Sequence, residues 1–158
     1  WRIYALNSEI DTSASSPQVA WLQADLAANP NLCMLAYWHK PLWSSGSTHG
    51  NNSPMQTMWQ VLYNAGAELV LNGHEHNYER FAEMDASGSA ISQGLREFVV
   101  GTGGAGLYPF GSLLPTSQVR NSSTFGVLKL TLNAGSYDWQ FVPVAGATFT
   151  DSGTSTCH

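Results

Sequence analysis

The sequence predicts an α/β fold with a parallel strand–helix–strand–helix–strand first half and a β-rich second half. Two short, continuous apolar runs in the first half are typical of strands buried on both faces of a parallel sheet. Two segments with helical spacing lie between the predicted strands. After Tyr78 the chain changes to short strand-like segments joined by Gly, Ser and Asn turns, with no helix between them.

The first strand and the first helix are predicted near the beginning of the chain. Residues 2–7 alternate and are partly β-branched or aromatic, which predicts a strand. Ser16 and Pro17 are typical of a helix start, and the helix is expected to end at residues 29–31, Asn-Pro-Asn. Its apolar residues recur at helical spacing: Val19, Leu22, Leu26 and Ala27.

The next three elements complete the parallel unit. Residues 32–38 form a continuous apolar run that predicts a buried strand. Pro54 begins a second amphipathic helix, which residues 64–66, Asn-Ala-Gly, end. Residues 68–71 form another short strand, so two helical crossovers connect three parallel strands.

The second half is expected to be β-rich and to pack on the first. Its predicted strands cover residues 78–84, 96–100, 127–132 and 137–142.

Length and composition limit the function classes. The 158 residues suit a single domain, and the 43% apolar content is normal for a globular protein. The formal net charge is −5 and no Lys/Arg cluster occurs, which argues against nucleic-acid binding. No apolar run reaches the roughly 18 residues that a membrane span needs.

Cys33 and Cys157 allow two interpretations. They form one disulfide that ties down the polar tail of the chain, or they are two independent thiols. The disulfide is favoured because the tail has little apolar content to hold it in place, and it would indicate an oxidising compartment.

Three histidines follow the ends of two neighbouring predicted strands. His39 comes after the first buried strand, and His74 and His76 come after the next. Ligands gather at the carboxyl ends of parallel strands, and neutral imidazole is a common metal ligand. We expect a His-x-His pair in extended chain to direct both rings to one side. The alternative is that each histidine is a hydrogen-bonded structural residue.

Two blocks around these histidines resemble a known family. Residues 37–42, Tyr-Trp-His-Lys-Pro-Leu, and residues 72–80, Asn-Gly-His-Glu-His-Asn-Tyr-Glu-Arg, look like the last two metal-binding blocks of the calcineurin-like metallophosphoesterases. The nearest branch is that of the purple acid phosphatase-like and related secreted bacterial phosphatases. The resemblance covers about residues 1–145, and it implies the C-terminal half of a β-sandwich flanked by helices.

The resemblance implies a hydrolase that cleaves phosphate esters with two metal ions, which are iron, zinc or manganese. His39 and His74 match positions that bind one metal, and His76 matches a position that binds the other. His49 lies in a polar loop that borders the substrate in such enzymes, where a histidine contacts phosphate or protonates the leaving oxygen. Asn72 is a candidate hydrogen-bonding residue beside the metals. The alternatives are a solvated loop residue for His49 and a turn residue for Asn72.

The family's earlier blocks, among them a Gly-Asp block with a metal-bridging carboxylate, have no counterpart here. The chain is therefore interpreted as the C-terminal portion of a secreted metallophosphoesterase domain. We expect its partners to be a phosphate ester, small-molecule or protein, and the N-terminal half of the same domain. Alone it is expected to be inactive or weakly active. Two other hypotheses remain open: a mononuclear zinc enzyme using His39, His74 and His76, and a non-catalytic extracellular binding module.

Three further features receive structural interpretations. Strand alternation turns Glu75 away from its flanking histidines, which favours a surface position. Residues 101–106 match Gly-x-Gly-x-x-Gly, but no helix follows, which favours a tight turn over a nucleotide site. His158 is expected to be disordered or solvated at the end of the chain.

Overall fold

A six-stranded mixed sheet lies between a pair of helices and a second, three-stranded sheet. The computed structural model describes residues 1–158. In chain order the elements are β1 Arg2–Ala5, α1 Pro17–Ala28, β2 Met34–Tyr37, α2 Gln56–Asn64, β3 Leu69–Asn72, β4 Tyr78–Met84, β5 Leu95–Val100, β6 Ser117–Asn121, β7 Gly126–Asn133, β8 Ser136–Pro143 and β9 Ser152–Thr156. A single 3₁₀ turn, Ser53–Met55, leads into α2.

The strand order of the large sheet is β1-β2-β3-β5-β4-β6. The pairs β1–β2, β2–β3 and β3–β5 are parallel, whereas β4 pairs antiparallel with both β5 and β6. The small sheet is the antiparallel meander β7-β8-β9. The predicted parallel first half, the β-rich second half and the helix-flanked sandwich are confirmed.

Each face of the large sheet packs against its own layer. Met34, Ala36 and Val70 face the helices and form one core with Leu22 of α1 and Trp59 of α2. The residues that alternate with them in the strands face the small sheet. The second core, between the two sheets, consists of Leu35, Leu69, Tyr78, Phe98, Tyr137, Trp139 and Phe141. Strands that are apolar on both faces are therefore required, which explains the continuous apolar runs in the sequence.

Helix α1 begins where its sequence predicts. Ser16 is the N-cap, and its hydroxyl accepts a hydrogen bond from the backbone N–H of Val19 while Pro17 occupies the first turn. Val19, Leu22 and Leu26 form its buried face.

Two strands lie where none is predicted. Strand β6 closes one edge of the large sheet, and β9 closes one edge of the small sheet. Their sequences, Ser-Gln-Val-Arg-Asn and Ser-Gly-Thr-Ser-Thr, contain only one large apolar residue between them. Both are edge strands that pair through the backbone, so their sequences carry little hydrophobic periodicity.

The end of the chain is fastened to the amino ends of the central strands. Cys33 and Cys157 form a disulfide, with their Cα atoms 5.4 Å apart, so the favoured interpretation of the cysteines is confirmed. The prediction that His158 is disordered or solvated is wrong: its backbone N–H and its Nδ1 contact the two carboxylate oxygens of Glu68 at 2.8 and 2.9 Å. Glu68 lies immediately before β3 and is almost fully buried.

No helix has the length and apolar content to cross a membrane.

Candidate metal-binding site

The carboxyl ends of β2 and β3 bring two of the predicted histidines together. The two strands are parallel neighbours with Tyr37 opposite Leu71, so the segments that follow them leave the sheet side by side. A backbone hydrogen bond of 3.0 Å from the N–H of Gly73 to the carbonyl of His39 continues this pairing beyond the strands. His39 and His74 therefore project from adjacent positions at one edge of the sheet.

The rings of His39 and His74 are in direct contact. Nε2 of His39 lies 3.1 Å from Nδ1 of His74, and the ring centroids are 4.9 Å apart. His39 is exposed and His74 is partly buried, so a small solute can reach both rings. At this distance one ring nitrogen donates a hydrogen bond to the lone pair of the other.

His76 does not join this pair. Its ring stacks on Tyr108 with centroids 4.1 Å apart and an interplanar angle of 13°. Its Nδ1 lies 2.9 Å from the carbonyl oxygen of Gly106, to which it donates. The expectation that the His-x-His segment is extended is wrong. His74 has a φ of 64°, in the left-handed region, so strand alternation does not apply to the two rings.

His49 takes the place beside the pair instead. Its ring stacks on that of His74, with centroids 4.0 Å apart and an interplanar angle of 28°. Tyr108 meets His49 edge-on at 5.8 Å, so a continuous row of rings runs through the site in the order His39, His74, His49, Tyr108, His76.

Asn72, the last residue of β3, lies directly beneath the histidine pair. It is buried, and its Nδ2 donates to the carbonyl oxygen of Trp38 at 3.0 Å. This bond fixes the backbone immediately before His39. The Oδ1 atom has no hydrogen-bond partner within the protein.

Glu75 is a buried residue, and the prediction of a surface position for it is wrong. It is fully buried, and its Oε1 accepts hydrogen bonds from the backbone N–H groups of His49 and Gly50 at 2.5 and 2.7 Å. The side chain enters the protein beneath the loop that carries His49.

The environment of His74 favours its neutral form. Burial lowers the pKa of His74, and the neighbouring His49, His39 and Lys40 lower it further. A neutral imidazole keeps a free lone pair, which is the form that binds a metal ion.

The residues present fit part of a metal site. Nitrogen ligands about 2.0–2.1 Å from a zinc ion lie about 3 Å from each other, as the His39 and His74 nitrogens do. No group of three or more His, Cys, Asp or Glu side chains is arranged to hold a metal ion. The His39–His74–His76 arrangement that a mononuclear zinc enzyme requires is therefore not formed in this structure.

Residues 101–106 form an irregular, bent segment at the edge of the site, without the hydrogen-bonded turn that the sequence predicts. A Cβ atom at Gly101 would lie 2.0 Å from the carbonyl oxygen of Glu75, so only glycine allows this close approach. No helix follows the segment. The segment delivers the Gly106 carbonyl and the Tyr108 ring to His76.

Sequence reasoning missed Tyr108 and the structural role of two further buried glutamates, Glu79 and Glu97. No periodicity or motif marks Tyr108, which lies in an irregular segment. A fully buried glutamate in a strand does carry a signal, because an acidic residue interrupts an otherwise apolar run. Glu97 in Leu-Arg-Glu-Phe-Val-Val is such a case.

The chain is similar in sequence to known acid phosphatases. No family model matches the chain. Purple acid phosphatase 22 from Arabidopsis thaliana is 34% identical over 106 residues, which are 63% of this chain and 24% of that protein. Acid phosphatase A from Cryphonectria parasitica is 26% identical over 149 residues, which are 87% of this chain and 30% of that protein.

A solved structure shares the fold. The purple acid phosphatase from yellow lupin (Lupinus luteus) seeds superimposes with a TM-score of 0.87 at 19% sequence identity, over 98% of this chain and 30% of that one. The chain thus spans between 24% and 30% of the length of these proteins. It is similar in sequence to acid phosphatases, shares the fold of a purple acid phosphatase and corresponds to a part of their length.

Proposed function

We propose that this chain contributes to a dinuclear metal centre that hydrolyses phosphate esters, with iron, zinc or manganese as the metals. The observation that carries the proposal is the contact between His39 and His74 at the carboxyl edge of the sheet. Its support is the naming of sequence relatives as acid phosphatases.

Each imidazole has a distinct part in this proposal. His39 and His74 would hold one metal ion, and His76, whose Nδ1 is fixed by the Gly106 carbonyl, would offer Nε2 to the other. When bound, the two ions supply a Lewis acid that neutralises phosphate charge and activates water. The Gly106 bond sets the tautomer and orientation of His76, as the outer hydrogen bonds of metal-binding histidines commonly do.

His49 is proposed to contact the phosphate ester. Its exposed ring lies flat on His74, within reach of a group bound to the His39–His74 pair. In the protonated form it can donate a hydrogen bond to a phosphoryl oxygen or a proton to the leaving oxygen. Asn72 supports the site from below by fixing the backbone before His39.

The remaining ligands are proposed to come from another part of the same domain. The three glutamates nearest the site, Glu75, Glu79 and Glu97, all accept hydrogen bonds from one loop and lie fully buried, so none is free to bridge metals. The chain on its own is therefore proposed to have little or no activity. The disulfide supports an oxidising, secreted setting.

A chimera tests this function. Residues 1–158 would replace the matching part of the Cryphonectria acid phosphatase A, and hydrolysis of a chromogenic phosphate ester would be measured with added zinc, manganese or iron. We expect the chimera to hydrolyse the ester, His39→Ala and His74→Ala chimeras to lose at least about a hundredfold in kcat/KM, and His158→Gln to change little. A folded, metal-loaded chimera without activity would contradict the proposal, as would full activity in the His74→Ala chimera.

A further inference from the structure

The loop of residues 42–50, which we name the His49 loop, is held by three buried glutamates from three separate segments. Glu97 of β5 accepts from the N–H groups of Leu42 and Trp43, both at 3.1 Å. Glu79 of β4 accepts from the N–H of Ser45 at 2.8 Å. Glu75, between the two histidines of the His-x-His block, accepts from His49 and Gly50.

These contacts satisfy five of the loop's nine backbone N–H groups. The loop has no regular secondary structure beyond one isolated bridge, so its backbone donors need partners from elsewhere. A carboxylate that receives backbone N–H groups makes charge-assisted hydrogen bonds, which are stronger than neutral ones. The path of the loop is thus set by acidic side chains rather than by a helix or a strand.

Glu75 controls the end of the loop that carries His49. One oxygen, Oε1, receives both N–H groups, whereas Oε2 is buried without a partner in the protein. The backbone turns sharply there, because Gly50 has a φ of 65°. The His49 side chain is exposed, so its stacking on His74 depends on the backbone from which it projects.

Gly46 provides the space that the Glu75 carboxylate fills. A Cβ atom at residue 46 would lie 2.3 Å from Cδ of Glu75 and 2.6 Å from both of its oxygens. Gly46 does not have a positive φ, so alanine is compatible with its backbone, and the three atoms nearest to the added Cβ would all belong to the Glu75 carboxyl group. The position of the carboxylate can therefore be disturbed without removing its charge.

We propose that Glu75 is a positioning residue, whose buried carboxylate holds the backbone of His49 and Gly50 so that the His49 ring stacks on His74. The inference adds to the proposed function, on which its relevance to phosphate esters rests. Glu75 lies directly between His74 and His76 in the chain. The His-x-His block would then position three rings: those of its own two histidines and, through Glu75, that of His49.

The test uses the metal-free chain, in which neither activity nor metal loading is needed. Glu75→Ala removes the acceptor, Gly46→Ala displaces it, and Glu75→Gln keeps an acceptor oxygen at the same length. Glu83→Gln and Gly103→Ala are matched controls, because Glu83 makes no contact with the His49 loop and a Cβ at Gly103 meets nothing within 4 Å. NMR would record amide hydrogen exchange at His49 and Gly50 and the ring-current shift of the His49 ring protons.

We expect Glu75→Ala and Gly46→Ala to speed exchange at both amides by about tenfold or more and to abolish the ring-current shift. Glu75→Gln and the two controls should keep both signals within about twofold of the parent. If Glu75→Ala does not fold, Glu75→Asp serves in its place, because the aspartate side chain is one methylene too short to reach the N–H groups of His49 and Gly50. Unchanged exchange and an unchanged ring-current shift in Gly46→Ala and the Glu75 truncation would overturn the proposal. Inactivity of the chimera would count against the proposed function alone.

Discussion

Nε2 of His39 and Nδ1 of His74 lie 3.1 Å apart, although 34 residues of chain separate the two histidines. The contact follows from the parallel pairing of β2 and β3, which the backbone bond from Gly73 to His39 extends past the strand ends. It places two candidate metal-binding nitrogens side by side within the chain itself.

A metal titration checks this pair directly. We expect the chain to bind about one zinc ion weakly at neutral pH, and His39→Ala or His74→Ala to weaken binding by about tenfold or more. His76→Ala should have little effect, because its ring is turned towards Tyr108. Isothermal titration calorimetry measures the affinities, with His158→Gln as the control. Loss of binding in His76→Ala but not in His74→Ala would contradict the assignment.

Removing the disulfide should destabilise the fold without altering the site. The bridge joins residues 124 positions apart, and closing a loop of that length is worth roughly 3–5 kcal/mol in the chain-entropy model. Urea unfolding of Cys33→Ala, Cys157→Ala and the double variant measures the loss. The double variant should be no less stable than the worse single variant. Additive losses would indicate that the two side chains stabilise the fold independently of their bond.

Glu97 should make stability depend on pH. Burial raises the pKa of its carboxyl well above the ordinary 4.5, against the opposing effect of the Trp43 and Leu42 N–H groups. Between 4.5 and the folded pKa, the native state therefore binds more protons at this residue than the unfolded state does. The contribution of Glu97 to the free energy of unfolding must fall as pH rises through that window.

The Glu97→Gln variant isolates this contribution. Glutamine does not titrate, so the free energy of unfolding of the Glu97→Gln variant, relative to that of the parent, should increase as pH rises from about 4.5. Urea unfolding at several pH values measures the difference, and Asp138→Asn, a substitution of an exposed carboxylate on β8, is the control. Parallel curves for parent and Glu97→Gln would show that burial does not perturb this group.

A methyl group at Gly101 should disturb the His-x-His block. It would lie 2.0 Å from the Glu75 carbonyl oxygen and 2.9 Å from Cα of His76. We expect Gly101→Ala to cost about 1–3 kcal/mol and to weaken the stacking of His76 on Tyr108. Thermal unfolding and the NMR shifts of the His76 ring report the two effects. Gly103→Ala, in the same segment, should be neutral, and equal losses in both variants would point to general loop strain.

The sequence predicts most of the fold because most elements carry a local signal. The Ser16 cap, the apolar runs before His39 and Asn72, and the alternation in β7 and β8 each identify an element without knowledge of its neighbours. Strand β9 has no such signal, because its polar residues pair with β8 through the backbone. The position of β9 depends on its pairing with β8, which the local sequence pattern does not reveal.

The candidate site also has residues that the sequence predicts and residues that it does not. His39 and His74 are predictable, because both follow buried parallel strands. The position of His49 is not, because it depends on a hydrogen bond that its backbone N–H donates to Glu75, which lies 26 residues away in the chain. The error for Glu75 itself comes from assuming extended chain where His74 adopts a positive φ.

Parallel strands give this molecule two chemically different rims. The disulfide and the Glu68–His158 pair lie at the rim where the central strands start, whereas the imidazoles lie at the rim where they finish. The cross-link that ties down the tail and the cluster of imidazoles therefore lie at opposite ends of the strands of one sheet. Cross-links added at the amino ends of the central strands should therefore stabilise the fold with little effect on substitutions made at the carboxyl ends to bind new ligands.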